Sequence, residues 1–248
     1  MSSAYLLVSH GSRDRRPEVA MHQLAKLVCN KLPNNYNPSS SEHLVGIAAL
    51  EMSPQPLHEQ IQQFAKSAFG GHKPSQNENR LKIVPLFLLP GVHVMTDIPA
   101  EVVLAQQAIG QDIMIELQPH LGSHLNLEKL LAKQISTIKA EAWILLAHGS
   151  RRPGSKETVE AMAANLSAVA AYWAGPPSLE SRVKELVAAG YSEIAILPYF
   201  LFAGGITDAI AASIEELKLQ FSAVNFQLAE PLGASAELAE LIWDLTDR

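Results

Sequence analysis

The octapeptide LLVSHGSR at residues 6–13 returns, with conservative changes, as ILLAHGSR at residues 144–151. In both places the residues in front, AYLLVS at 4–9 and AWILLA at 142–147, form a short apolar run that ends at a turn signal. That is the pattern of a β-strand. A strand that delivers an imidazole, a glycine and a basic residue at its end is a natural place for a site. Finding it twice predicts two copies of one domain.

Outward from these strands the chain alternates strand and helix patterns. In the first half, strands are expected near 4–9, 44–50, 81–88 and 113–117, and helices near 17–31, 55–68, 97–109 and 124–139. The second half repeats the order, with strands near 142–147, 168–173, 193–200 and 224–228 and helices near 154–166, 178–189, 207–220 and 235–246. Strands alternating with helices of this length mean βαβ crossovers. The expected fold is α/β: two tandem flavodoxin-like, or Rossmann-like, domains over residues 1–140 and 141–248, each with a mostly parallel four-stranded sheet. The ambiguous point is 166–174, an Ala-rich run that also fits a helix extension.

Four anchors test the duplication. His10 pairs with His148, Pro54 with Pro176, Pro85 with Pro198, and Leu121-Gly122 with Leu232-Gly233, at offsets of 138, 122, 113 and 111. The second copy is therefore shorter in each interval. The extra length of the first copy is expected in Pro-, Gly-, Asn- and Ser-rich stretches, at 33–42 (PNNYNPSSSE), at 70–79 (GGHKPSQNEN) and after Pro90. Loops absorb length change at least cost.

At 248 residues the chain is long enough to bury a core without staples, and 48% hydrophobic with 18% charged residues is ordinary for a globular protein. A net charge of −6 argues against a nucleic-acid footprint. The single cysteine, Cys29, has no internal partner and reads as a buried structural thiol. The chain enters its first strand with no basic start or cleavage site, and no run approaches the roughly 20 apolar residues that cross a bilayer. A cytoplasmic protein is the expectation, with no membrane partner.

In an open parallel sheet, ligands bind beyond the carboxyl ends of the strands, near the point where strand order reverses. His10 follows the first strand, Glu51 the second, and His93 lies just past the third in PLFLLPGVHVMTD (85–97). If the first strand lies between the second and third, all three side chains face one crevice. Two imidazoles and a carboxylate suit Fe²⁺, Co²⁺, Ni²⁺ or Zn²⁺. The second half keeps His148 but aligns Trp173 with Glu51, and its third segment, PYFLFAGGITD (198–208), has no histidine. One site per chain is expected, in the first half. The second half is then a structural and substrate-shaping partner.

These residues resemble the sirohydrochlorin chelatases, the ATP-independent (class II) chelatases in their long two-domain form. The matching pieces are LLVSHGSR (6–13), ALEMSP (49–54), VPLFLLPGVHVMTDIP (84–99), LLAHGSR (145–151) and LPYFLFAGGITD (197–208). The resemblance covers nearly the whole chain. It implies insertion of a divalent metal, Fe²⁺ or Co²⁺, into sirohydrochlorin for sirohaem or cobalamin. It also implies that His10 and His93 are the metal-binding and catalytic histidines; the shared strand-end location adds Glu51 as a nearby ligand or proton acceptor. The metal is then a substrate, and no P-loop (GxxxxGK[ST]) is present to call for a nucleotide. A substrate with eight carboxylates needs donors: Ser12 and Arg13, and Arg151 in the repeat, are the candidates, with Arg15, Arg16, Ser150 and Arg152 nearby.

Two other function classes compete. A metal-binding or metallochaperone protein would use the same two histidines. A histidine-phosphatase-like hydrolase also begins with His-Gly after a first strand, but it needs an Arg before the His, and here Ser9 and Ala147 stand there. Action on a different macrocycle is a third possibility. The tandem repeat can stand in for a homodimer, so a monomer is expected. Among the remaining residues, His120 and His124 read as turn and surface histidines, and His22, His43, His58 and His72 as solvated. Asp97 reads as the N-cap of the helix opened by Ile98-Pro99, with Thr207 or Asp208 in the same role in the repeat.

Overall fold

The computed structural model describes residues 2–32, 44–70, 79–149 and 154–246. Among them, β1 (Ser2–Ser9), β2 (Val45–Ala49), β3 (Asn79–Pro85) and β4 (Ile113–Leu117) form one sheet, and β5 (Ala142–Ala147), β6 (Val169–Tyr172), β7 (Glu193–Pro198) and β8 (Asn225–Leu228) another. The helices are α1 (Arg15–Cys29), α2 (Leu57–Phe69), α3 (Ile98–Ile109), α4 (Leu127–Ile135), α5 (Ser155–Asn165), α6 (Leu179–Ala188), α7 (Gly205–Gln220) and α8 (Ala236–Thr246). Within the ambiguous run at 166–174, Val169–Tyr172 forms a strand, with Ala170, Ala171 and Tyr172 buried beside β5.

Both sheets are all-parallel, in the orders β2-β1-β3-β4 and β6-β5-β7-β8. The first strand of each copy is central, and strand order reverses at its end, as the flavodoxin-like arrangement requires. Central position explains the sequence of these strands: Ala4 to Val8 and Ala142 to Ala147 are buried throughout, so they read as continuous apolar runs. Helices bury one stripe. In α1 the stripe is Met21, Leu24, Ala25 and Val28, and in α2 it is Leu57, Ile61, Ala65 and Phe69.

The compact units differ from the expected 1–140 and 141–248. One unit comprises residues 1–124 with 234–248, the other 125–233. The last helix thus belongs with the first sheet, and α4 with the second. In the first unit α8 packs on α1 and β3 and buries Leu238, Ala239, Leu241, Ile242 and Leu245. Trp243 lies 5.4 Å from the Tyr5 ring, Lys31 pairs with Glu240, and the Lys82 ammonium donates to the Thr246 carbonyl. His124, expected at the surface, is buried in this unit with Nε2 3.7 Å from Asp244. In the second unit, Gln134 donates to the Glu230 carbonyl and Gln227 to the Lys139 carbonyl, tying residues 134–139 to the β8 side. Its core is built from Ile144, Leu146, Val183, Ile196, Ile210 and Phe226 among others.

Two of the three expected length differences fall largely on residues 33–43 and 71–78, outside the described residues. The third is not in a loop. The helical run from Val92 through Ile109 is two residues longer than its counterpart from Gly205 to Gln220, and it contains a wide π turn at His93–Asp97.

Candidate metal centre

The β1–β2 ladder continues past the strands: the Leu50 and Glu51 amides donate to the carbonyls of Ser9 and His10, each at 2.9 Å. This continuation places Glu51 beside His10. It also requires Gly11, whose φ is +95° and where a Cβ would lie 2.0 Å from the Glu51 carbonyl oxygen. The Gln60 side chain clamps the same turn, accepting from the Ala49 amide and donating to the Ala49 and Gln55 carbonyls. On the other side, the Leu86 amide donates to the Val8 carbonyl, extending β3 toward Phe87. The chain then turns at Gly91 into the π turn that carries His93.

These elements bring His10, Glu51 and His93 together, each offering a ligand atom, with all three atoms within 4.8 Å of one another. His10 Nε2 lies 3.9 Å from Glu51 Oε2, and His93 Nε2 lies 4.0 Å from Glu51 Oε1. The imidazoles meet edge to face, with centroids 4.9 Å apart and an interplanar angle of 85°. Phe87 lies against both rings, at 6.4 and 6.1 Å. The side chains are 52%, 45% and 32% exposed for His10, Glu51 and His93, so the cluster is open to solvent. Ligands on one ion at bond lengths of about 2.0–2.2 Å stand about 3–3.4 Å apart. The two His–Glu51 spacings need about 0.5–1 Å of closure to reach that geometry.

Asp97 was expected to cap a helix and does not: it makes no capping bond, and its Oδ2 lies 2.7 Å from His93 Nδ1. His58, expected in solvent, pairs with Glu101. The Glu101 carboxylate accepts from both the His58 ring (2.8 Å) and the His58 amide (2.7 Å), joining the first turn of α2 to α3. No single-residue pattern in the sequence marks either pair. An acid four residues after a strand-end histidine is the one signal for Asp97.

Ser12 accepts from the Asp14 amide at 3.0 Å, and Asp14 caps α1 by accepting from the Arg16 amide. The same Arg16, bonded through its guanidinium too, holds the Asp14 carboxyl below the usual carboxylate range. Arg13 is exposed beside them. Ser150, Arg151 and Arg152 lie outside the described residues. In the second copy the Trp173 and Ala174 amides donate to the Ala147 and His148 carbonyls. Ala174, not Trp173, is therefore the counterpart of Glu51, a one-residue correction to the alignment. Neither residue is a metal ligand.

Residues 4–138 and 142–248 each match the CbiX family. The chain belongs to the CbiX family. Two curated relatives come from Priestia megaterium. One, named sirohydrochlorin ferrochelatase, is 26% identical over 180 residues, covering 67% of this chain and 66% of the relative. The other, named sirohydrochlorin cobaltochelatase, is 22% identical over 176 residues, covering 64% and 57%. The chain thus spans somewhat less than two thirds of the length of either. Among solved structures, SirB from Bacillus subtilis with Fe³⁺ superposes with a TM-score of 0.72 at 21% identity, over 99% of this chain and 94% of that one. That likeness establishes the chelatase fold for this CbiX-family chain.

Proposed function

We propose that this protein is a sirohydrochlorin chelatase that inserts Fe²⁺ or Co²⁺ into the macrocycle without a nucleotide. The observation that carries the reading is the solvent-open cluster of His10, Glu51 and His93 at the strand-order reversal of the first sheet. The names of the two Priestia relatives support the substrate and both metals.

Insertion must strip water from M²⁺, hold the ion over the ring and accept two pyrrole N–H protons. In this reading His10 Nε2 and His93 Nε2 take the ion, with Glu51 beside them as third ligand or proton acceptor. Neutral imidazole binds a divalent ion through a lone pair and accepts a proton once that ion leaves. Glu51 and Asp97 add negative charge near the ion, which favours its approach. Arg13 and Ser12, and Arg151 in the repeat, are assigned to the carboxylates of the substrate. The second copy, which lacks the ligand set, takes a structural and substrate-shaping role. We further assign the protein to the cytoplasm as a monomer. Among the described residues no helix is long and apolar enough to cross a membrane, and the lone cysteine suits a reducing compartment.

The deciding experiment is an anaerobic assay with sirohydrochlorin and Fe²⁺ or Co²⁺, followed by the absorption change of the macrocycle. His93→Ala is expected to lower turnover by about 10²-fold or more. Turnover near the wild-type rate would remove His93 from the mechanism. Tight Co²⁺ binding with no spectral change of added sirohydrochlorin would instead select the metallochaperone reading.

A further inference from the structure

We infer that Asp97 is the positioning residue of this centre. Its carboxylate holds His93 as the Nδ1–H tautomer and so aims the Nε2 lone pair at the point shared with His10 and Glu51. This rests on the metal-site reading of the cluster, but not on the identity of the macrocycle.

A neutral imidazole has one N–H donor and one bare acceptor nitrogen, and an ionised carboxylate can only accept. The 2.7 Å contact between Nδ1 and Asp97 Oδ2 therefore puts the proton on Nδ1. Nε2, the atom 4.0 Å from Glu51 Oε1, is left unprotonated and able to bind an ion. A free histidine side chain favours the opposite tautomer, with the proton on Nε2, where it blocks coordination. Helix capping does not account for Asp97, which makes no capping bond. The π turn does account for the pair: its first residue is His93 and its last is Asp97, so one widened turn carries both the ligand and its anchor. In the second copy a Thr-Asp pair recurs as Thr207-Asp208, but that helix has no histidine, and Thr207 exchanges hydrogen bonds with the Gly204 backbone.

The test uses the full chain with Asp97→Ala and Asp97→Asn. The first reading is anaerobic Co²⁺ titration, and the second is the two-bond ¹H–¹⁵N spectrum of the His93 ring, which reports its tautomer directly. For wild type the expected spectrum is the Nδ1–H form. For Asp97→Ala the Nε2–H form is expected to appear, with Co²⁺ affinity lower by about 10- to 100-fold. Asp97→Asn, which removes the charge, is expected to shift both readings in the same direction and less far. A merely structural role would not move the tautomer. An alanine variant with the wild-type tautomer and affinity would overturn the proposal. If that variant fails to fold by thermal melting, the asparagine variant decides on the same terms. Neither reading involves sirohydrochlorin, so a failed insertion assay beside an intact tautomer effect would count against the chelatase reading alone.

Discussion

The two copies share one backbone plan and differ at their strand ends. β1 and β5 both deliver His-Gly at the reversal of strand order, with Gly11 and Gly149 at φ values of +95° and +90°. Beyond β2 the first copy has Glu51 where the second has Ala174, both fixed by the same backbone bond to the histidine carbonyl. Beyond β3 it has His93 in a π turn, whereas α7 starts at Gly205 without one and holds Ile206 in the corresponding place. The two strand-end clusters thus differ by two side chains and by two residues in a helix. π turns are tolerated where they serve a site, because the widened turn costs helix geometry.

The largest effect is expected where the copies look most alike. His10→Ala should lower metal insertion by about 10²- to 10⁴-fold, since it removes the imidazole proposed as ligand and base. His148→Ala, with the same local sequence, should leave Co²⁺ affinity unchanged, because neither Ala174 nor Ile206 can share an ion with it. Parallel anaerobic titrations and insertion assays of both variants measure the contrast. Equal losses would mean that the second copy takes part in the chemistry and that the two copies are not asymmetric in function.

A smaller effect separates the two glycines. An L-residue in either left-handed position costs about 1–2 kcal/mol. At Gly149 an added Cβ meets the Tyr172 Cβ at 3.2 Å, a contact that can relax by a few tenths of an ångström. At Gly11 it meets the Glu51 carbonyl oxygen at 2.0 Å, so the β1–β2 extension must open. Gly11→Ala is therefore expected to lose more stability in urea unfolding than Gly149→Ala, and to weaken Co²⁺ binding as Glu51 shifts. Equal destabilisation with wild-type binding would show that the turn does not depend on that close approach.

What was legible in the sequence follows from the range of each interaction. The strands and their ends were legible because a central parallel strand must be apolar throughout and must stop where it meets water. That placed His10, Glu51 and His93 at one crevice once strand order was assumed. The counterpart of Glu51 was misplaced by one residue because Pro54 and Pro176 are loop anchors, whereas the ladder to His10 and His148 sets the register. The π turn was hidden, since its two extra residues look like any loop insertion. Asp97 was misread because an acid before Ile-Pro is a sound capping signal, and only the fold shows the competing histidine. The exchange of α4 and α8 between units left no local mark: both are amphipathic, and periodicity does not say which sheet a helix covers.

The smallest expected effect compares His120 with Pro231, which hold corresponding places before the Leu-Gly turns at 121–122 and 232–233. His120 is half-buried, and that burial pushes its pKa below the ordinary 6.5 by disfavouring the charged ring. The unfolded chain therefore binds a proton here at a higher pH than the folded one does. The stability that His120 contributes is present in full above about pH 6.5 and is lost as pH falls through the folded value. The proline of the second copy cannot respond to pH at all. His120→Gln is expected to flatten the decline in unfolding free energy between neutral and mildly acidic pH, measured by urea denaturation across that range. A slope unchanged by the substitution would mean that the His120 ring charges in the folded protein as readily as in the unfolded one, and that the two turns are equivalent in their response to acid.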